Sequence, residues 1–258
     1  MKPFSLLHVD YGFPVILYDQ LGCGQSTHLP DKKGDTDFWT IDLFVAELRN
    51  LITALGISGS GSSFDLLGHS WGGQLAARFA AQQQLPTRLR KLVIAQSTAV
   101  IAHRTSHFNH QMSNLPPPHG EAAKNALREN TTSTAEYKAA LTAYSKHHMC
   151  RLDPWPQELL DSMAAFEEDD TVHSTLERVL LEFDLRPDLR KLTAEAVPGG
   201  VLVFNGKYDQ SVDEVVWPFF ALPGARVKWV RFAESSHMAV LEETEEVMAV
   251  TGRFLMME

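Results

Sequence analysis

Cysteine is scarce in this chain: Cys23 and Cys150 are the only two among 258 residues. Two thiols cannot build the disulfide framework of a small secreted fold, so a reducing compartment and a cytoplasmic location are expected. Basic charge is short as well. Lys and Arg number 23 against 32 Asp and Glu, a formal net charge of -9, and no run gathers the cations. Nucleic acid and anionic membrane both require concentrated Lys/Arg, so neither is expected as a partner. Long apolar runs are missing: nothing approaches the roughly 18 residues that a membrane span needs. In "MKPFSLLHVDYGFPVILYDQ" at the start, Asp10 and Pro14 interrupt the apolar residues, which leaves no signal-peptide core or cleavage site. Repeats and low-complexity tracts are absent too, and "GISGSGSSF" at Gly56–Phe64 is only a flexible connection.

What is present suits one large α/β domain, or a core domain with an insertion, with 44% hydrophobic residues to fill it. Val15–Tyr18, Phe64–Leu67, Leu92–Ala95 and Val201–Phe204 are short apolar runs rich in β-branched residues, as in buried parallel strands. Val227–Phe232 is a more mixed fifth. Helical patterns alternate with them. Ile41, Phe44, Leu48, Leu51, Ile52 and Leu55 share one helix face that Gly56 is placed to end, and Leu75, Ala76, Phe79 and Ala80 share another. Strands alternating with helices predict a doubly wound, mostly parallel sheet. The alternation stops over 103–192, where "NLPPPHG" and "DPWP" punctuate a polar, helical stretch. The reading is a core of residues 1–102 and 193–258 with a helical cap inserted at 103–192.

One motif carries the chemistry. In Gly68-His69-Ser70-Trp71-Gly72 a strand run ends at a serine and a helix pattern begins at once. Lifting a hydroxyl clear of a sheet requires a sharp turn with a strained serine, and glycine two residues away on either side would avoid collision. Ser70 is therefore a candidate nucleophile. The Trp71 N–H, at the positive end of the helix dipole, is a candidate oxyanion donor. A serine needs a base, and the base needs an orienting carboxylate. The runs ending at Phe204 and Phe232 lead into "NGKYDQ" and "AESSHM", which places Asp209 and His237 at carboxyl ends of successive strands, where chemistry collects in open parallel sheets. Other histidines read more simply. His103, His107 and His110 could share a helix face, but no acid or thiol accompanies them, so no metal site is expected. His69 reads as a structural group, and His147-His148 in the insertion as another solvated helix face. Cys23 has no histidine pattern to make it a second nucleophile.

"YDQLGCGQST", "LLGHSWGG", "HHMCR" followed by "PWP", "NGKYD" and "AESSHM" together resemble the proline iminopeptidase group of α/β-hydrolases, serine aminopeptidases that release N-terminal proline and some other residues. The resemblance implies an α/β-hydrolase fold with a helical cap, a triad of Ser70, Asp209 and His237, and no metal or organic cofactor. A small-molecule or short-peptide substrate is its only implied partner. Three departures stand out. The family's HGGPG-type loop, source of a second oxyanion N–H, has no counterpart upstream of Asp19, so an N-terminally shortened sheet is expected. Gln210 replaces a glutamate that helps hold the substrate's ammonium group. No GPxEF-type segment occurs in the cap, which leaves Glu177 or Glu182 to supply an amine-binding acid. Alternatives are an amidase or esterase acting on a small metabolite, and a truncated, impaired relative.

Overall fold

The structure, a computed structural model, describes residues 2–57, 61–82, 88–181 and 183–257. Its sheet has four parallel strands, β1 (Ser63–His69), β2 (Arg88–Ala95), β3 (Val201–Gly206) and β4 (Val227–Phe232), in the order β1-β2-β3-β4. Before β1 lie helices α1 (Leu6–Tyr11) and α2 (Ile41–Ala54), and α3 (Trp71–Ala81) joins β1 to β2. Between β2 and β3 run α4 (Ile101–Ser113), α5 (His119–Glu129), α6 (Ala135–Tyr144), a π-helical turn at Ser145–Met149, α7 (Gln157–Glu168), α8 (Thr171–Leu180) and α9 (Arg186–Leu189). Then α10 (Asp213–Ala221) joins β3 to β4, and α11 (Ala239–Glu242) and α12 (Thr244–Met256) follow.

Alternation along the strands sets the layers. Leu92, Ile94, Val201 and Val203 pack with Ala76, Ala77 and Ala80 of α3 and with Val215, Val216 and Phe219 of α10. Their neighbours Val93, Ala95, Leu202 and Phe204 point the other way, onto Phe4, Leu7 and the α12 residues Val247, Met248, Phe254 and Leu255. Because each strand sits beside its predecessor, every crossover steps in the same direction. Right-handed crossovers then place α3 and α10 on one face. The outer side of α3 uses Leu75 and Phe79 against Trp39 and the α2 residues Phe44, Val45, Leu48 and Ile52. Thr40 caps α2 by accepting from Leu43 N, and Gly56 takes a left-handed φ of 69° after the helix ends.

Val15–Tyr18 is not a strand: no sheet pairing includes it, and Ile16 and Leu17 are exposed. Its ends serve two different clusters, Val15 the one under α12 and Tyr18 the one around Trp39, so the segment works as an extended tie. The stretch between β2 and β3 is helical, and the α4–α6 helices share a separate cluster of Met112, Leu115, Ala123, Ala126, Tyr137, Ala140 and Tyr144. Its later part returns to the main core through Leu185, Leu189 and Leu192. Among the described residues, no helix is long and apolar enough to cross a membrane.

Lys91 lies inside β2 and is only 1% exposed. Its ammonium donates to the carbonyl oxygens of Phe254 (2.8 Å) and Leu255 (3.0 Å), and to that of Met257. It thereby satisfies acceptors that the end of α12 would leave open and complements the negative end of the helix dipole. Replacement by Met keeps the volume but removes the ammonium from all three carbonyls and leaves the buried Leu255 O without its donor. Lys91→Met is expected to cost about 2–4 kcal/mol of stability, read as a lower urea midpoint with an unchanged slope.

Candidate active site

Ser70 stands between β1 and α3 with φ 55° and ψ -119°, a conformation that a residue with a β-carbon resists. The turn is held on both sides. Ser70 N–H donates to Ala95 O (2.8 Å) at the end of β2, and Ser70 O accepts from the Ser97 hydroxyl (2.7 Å). The glycines around it divide differently from the sequence expectation. A β-carbon on Gly68 would overlap the Gly72 carbonyl and the Gly73 nitrogen, and one on Gly73 would overlap the Ser97 hydroxyl. One on Gly72 would meet nothing within 4 Å. Gly68 is therefore required where the strand end meets the first turn of α3, and Gly73 where that turn meets Ser97 beyond β2. Trp71 is the first residue of α3, its ring edge-on to Phe44 (5.8 Å) and its indole N–H donating to the Gln20 side chain (3.1 Å).

Asp209 follows the carboxyl end of β3 and His237 that of β4, so parallel strands bring all three side chains to one rim. His237 Nδ1 lies 2.8 Å from Asp209 Oδ1, and His237 Nε2 lies 3.0 Å from Ser70 Oγ. The carboxylate only accepts, so Nδ1 carries the proton and Nε2 offers its lone pair to the serine hydroxyl. Asp209 Oδ1 also accepts from Ser211 N (2.7 Å), and both Asp209 and His237 are buried, at 1% and 4% exposure. The arrangement is a hydroxyl aimed at a base whose tautomer a buried carboxylate fixes.

Two more histidines hold the main chain of His237. His69 Nε2 donates to His237 O (2.8 Å), and His148 O accepts from His237 N (3.2 Å). Burial pushes the His69 imidazole down to about 3 and that of His148 down to about 4, so both are neutral at neutral pH. Behind them Gln96, buried with a left-handed φ of 53°, donates from its side chain to Ser236 O (2.6 Å). No sequence motif points to Gln96. Gln210 is half-buried, and its backbone N–H also donates to His148 O (3.3 Å). Glu177 is exposed on α8, 3.8 Å from His173. Glu182 lies outside the described residues. Burial, with Glu47 next, pushes the Cys23 thiol up, the opposite of an activated thiolate. His103 and His110 are exposed and His107 is half-buried; among the described residues no group of three or more His, Cys, Asp or Glu side chains is placed to hold a metal.

The family model described as the alpha/beta hydrolase fold matches residues 3–244. A proline iminopeptidase of Heyndrickxia coagulans is 29% identical over 249 residues, 94% of this chain and 81% of that protein. Among solved structures, a proline iminopeptidase of Mycobacterium smegmatis superposes with a TM-score of 0.88 at 32% identity, covering 98% of this chain and 83% of that one. A structure titled VinJ matches with a TM-score of 0.85 at 33% identity over 98% of this chain and 84% of that one.

The glycine geometry predicts opposite outcomes for neighbouring substitutions. Gly72→Ala should leave the melting temperature unchanged or raise it, since Ala is better than Gly inside a helix by roughly 0.5–1 kcal/mol. Gly68→Ala should cost more than about 2 kcal/mol because backbone must move. Equal melting temperatures for the two variants would contradict this. The buried imidazoles also set an acid limit. Their folded values lie below the unfolded one of about 6.5, so the unfolded state binds more protons once pH falls below that point. Stability should therefore fall from about pH 6.5 down to about 4, where the folded His148 protonates, and His69 should extend the loss towards about 3. Replacing His148 with Asn should flatten part of that acid slope in urea titrations.

Proposed function

This chain belongs to the alpha/beta hydrolase fold family and is a serine hydrolase of the proline iminopeptidase type, and we propose that Ser70, His237 and Asp209 carry its chemistry through an acyl-enzyme. The observation that carries the proposal is the unbroken relay Ser70 Oγ–His237 Nε2 (3.0 Å) and His237 Nδ1–Asp209 Oδ1 (2.8 Å). Ser70 Oγ attacks the carbonyl of an N-terminal, proline-like residue while His237 Nε2 takes the hydroxyl proton. Asp209 stabilises the imidazolium without taking the proton itself. The Trp71 N–H, at the positive end of α3, donates to the carbonyl oxygen as it gains charge. The imidazolium then gives its proton to the leaving amine. Water, deprotonated by the same nitrogen, releases the acyl group and restores Ser70.

We take residues 103–192 as a cap inserted in the core (1–102 and 193–258), its last part anchored there through Leu185, Leu189 and Leu192, and infer that it limits the substrate to one with little chain beyond the scissile bond. Gln210, on the loop carrying Asp209, is a substrate-side candidate, as are Glu177 and Glu182. One observation favours a second reading, an amidase or esterase for a small metabolite. Gln210 is neutral and Glu177 faces solvent beside His173, whereas a desolvated ammonium needs an opposite charge.

A fluorophosphonate probe and three substrates test both readings. Wild-type protein should label, and Ser70→Ala should not; labelling that persists in the variant overturns the assignment of the nucleophile. Faster cleavage of a prolyl anilide than of its N-acetylated form or of a short acyl ester supports the aminopeptidase. The reverse order selects the second reading.

A further inference from the structure

Resting on the triad reading above, we infer that the cap turn Ser145–Met149 is a positioning device, in which His148 holds the loops of Asp209 and His237 in register with each other. The two loops follow different strands, β3 and β4, and a single carbonyl, His148 O, accepts from both: Gln210 N at 3.3 Å and His237 N at 3.2 Å. One of these donors immediately follows Asp209, and the other belongs to His237 itself. The distance between acid and base is thus set partly by a group belonging to neither loop.

The side chain of His148 fixes where that carbonyl stands. Its Nδ1 lies 2.7 Å from Tyr208 O, which only accepts, so Nδ1 is the protonated nitrogen. The low basicity of the buried ring keeps this tautomer neutral. Tyr208 directly precedes Asp209, so the imidazole grips the acid's loop on one side while the carbonyl grips it on the other. Neighbouring groups brace the same grip. The Gln111 amide nitrogen donates to Asp209 O (3.1 Å), and its oxygen accepts from the Tyr144 hydroxyl (3.0 Å). Arg151 lays its guanidinium over the Tyr208 ring, 3.6 Å from the centroid. Arg151 N donates to Glu242 (2.7 Å), and the same carboxylate accepts from Ser236 N (2.9 Å), next to His237. His148 lies in the last turn before Met149, where a helix leaves its carbonyls without intrahelical partners, and π-helical turns gather at functional sites.

None of these groups touches the reacting atoms, so the effect should appear in turnover and not in substrate affinity. The test compares wild type, His148→Ala, His148→Asn, Tyr144→Phe and Ser70→Ala, measuring kcat and KM on a prolyl anilide, the rate of fluorophosphonate labelling and the melting temperature. Asn can place an amide donor where Nδ1 stands. His148→Ala should lower kcat and the labelling rate together by about 10- to 100-fold with KM little changed, the size expected from misplacing a reacting group by a fraction of an ångström to an ångström. His148→Asn should recover most of that loss, and Tyr144→Phe should show a smaller decrease of the same kind. If His148→Ala does not fold, Tyr144→Phe and His148→Asn decide: a lower kcat at constant KM in Tyr144→Phe with near-normal turnover in His148→Asn supports the proposal. Unchanged kcat in His148→Ala or Tyr144→Phe, or a loss that His148→Asn does not recover, overturns it while leaving the triad intact. Labelling that survives Ser70→Ala overturns the triad reading and this inference with it.

Discussion

Ser70 sits at φ 55° and ψ -119°, and nearly everything around it exists to hold that unfavourable backbone in place. The strain persists because the neighbours over-determine it. Ala95 takes the serine's N–H, Ser97 takes its carbonyl, and the glycines at 68 and 73 let strand and helix approach until no β-carbon fits. In return the hydroxyl is lifted off the sheet to the rim where β3 and β4 end. A relaxed serine would follow the strand or the helix and miss His237. The parallel sheet, the tight packing of α3 on β2 and the small alanines of α3 all serve this one turn.

The same economy appears in the use of histidine. His69, His148 and His237 are all drawn into one small region, yet burial keeps the first two neutral and gives them donor and acceptor work on the main chain. Their lack of charge matters: an imidazolium at either place would oppose the positive charge that the proposed mechanism puts on His237. Environment thus separates the rings: two hold geometry, and the third, His237, is the one proposed to transfer protons.

Sequence made the elbow legible because its chemistry demands local residues: a strand run, Gly68, Ser70 and a helix pattern in unbroken order. Asp209 and His237 were legible for a related reason, since each follows an apolar run that behaves as a parallel strand. Val15–Tyr18 has the same apolar composition but makes no ladder, because β-branched content signals burial and says nothing of whether a neighbouring backbone is there to pair with. Gly72 looked as necessary as Gly68 by symmetry about the serine, but the turn is not symmetric: one side is an extended strand end and the other a helix that turns its next position outward. Gln96, Lys91 and the carbonyl of His148 act through contacts between residues far apart in the chain, and no local pattern announces them.

The two faces of the sheet differ in how far apart their partners lie along the chain. One face is built from near neighbours, with α3 between β1 and β2 and α10 between β3 and β4. The other is covered by Phe4 and Leu7 together with residues from Val240 to Leu255, so that covering it joins opposite ends of the described chain. Bringing such distant segments together costs more loop entropy before any contact repays it. The local face therefore has the means to form first. Until Phe4 and Leu7 join α12, the face carrying Val93, Ala95, Leu202 and Phe204 is incompletely covered, and an apolar row left open is where a chaperone or a second unfolded chain would find its hold.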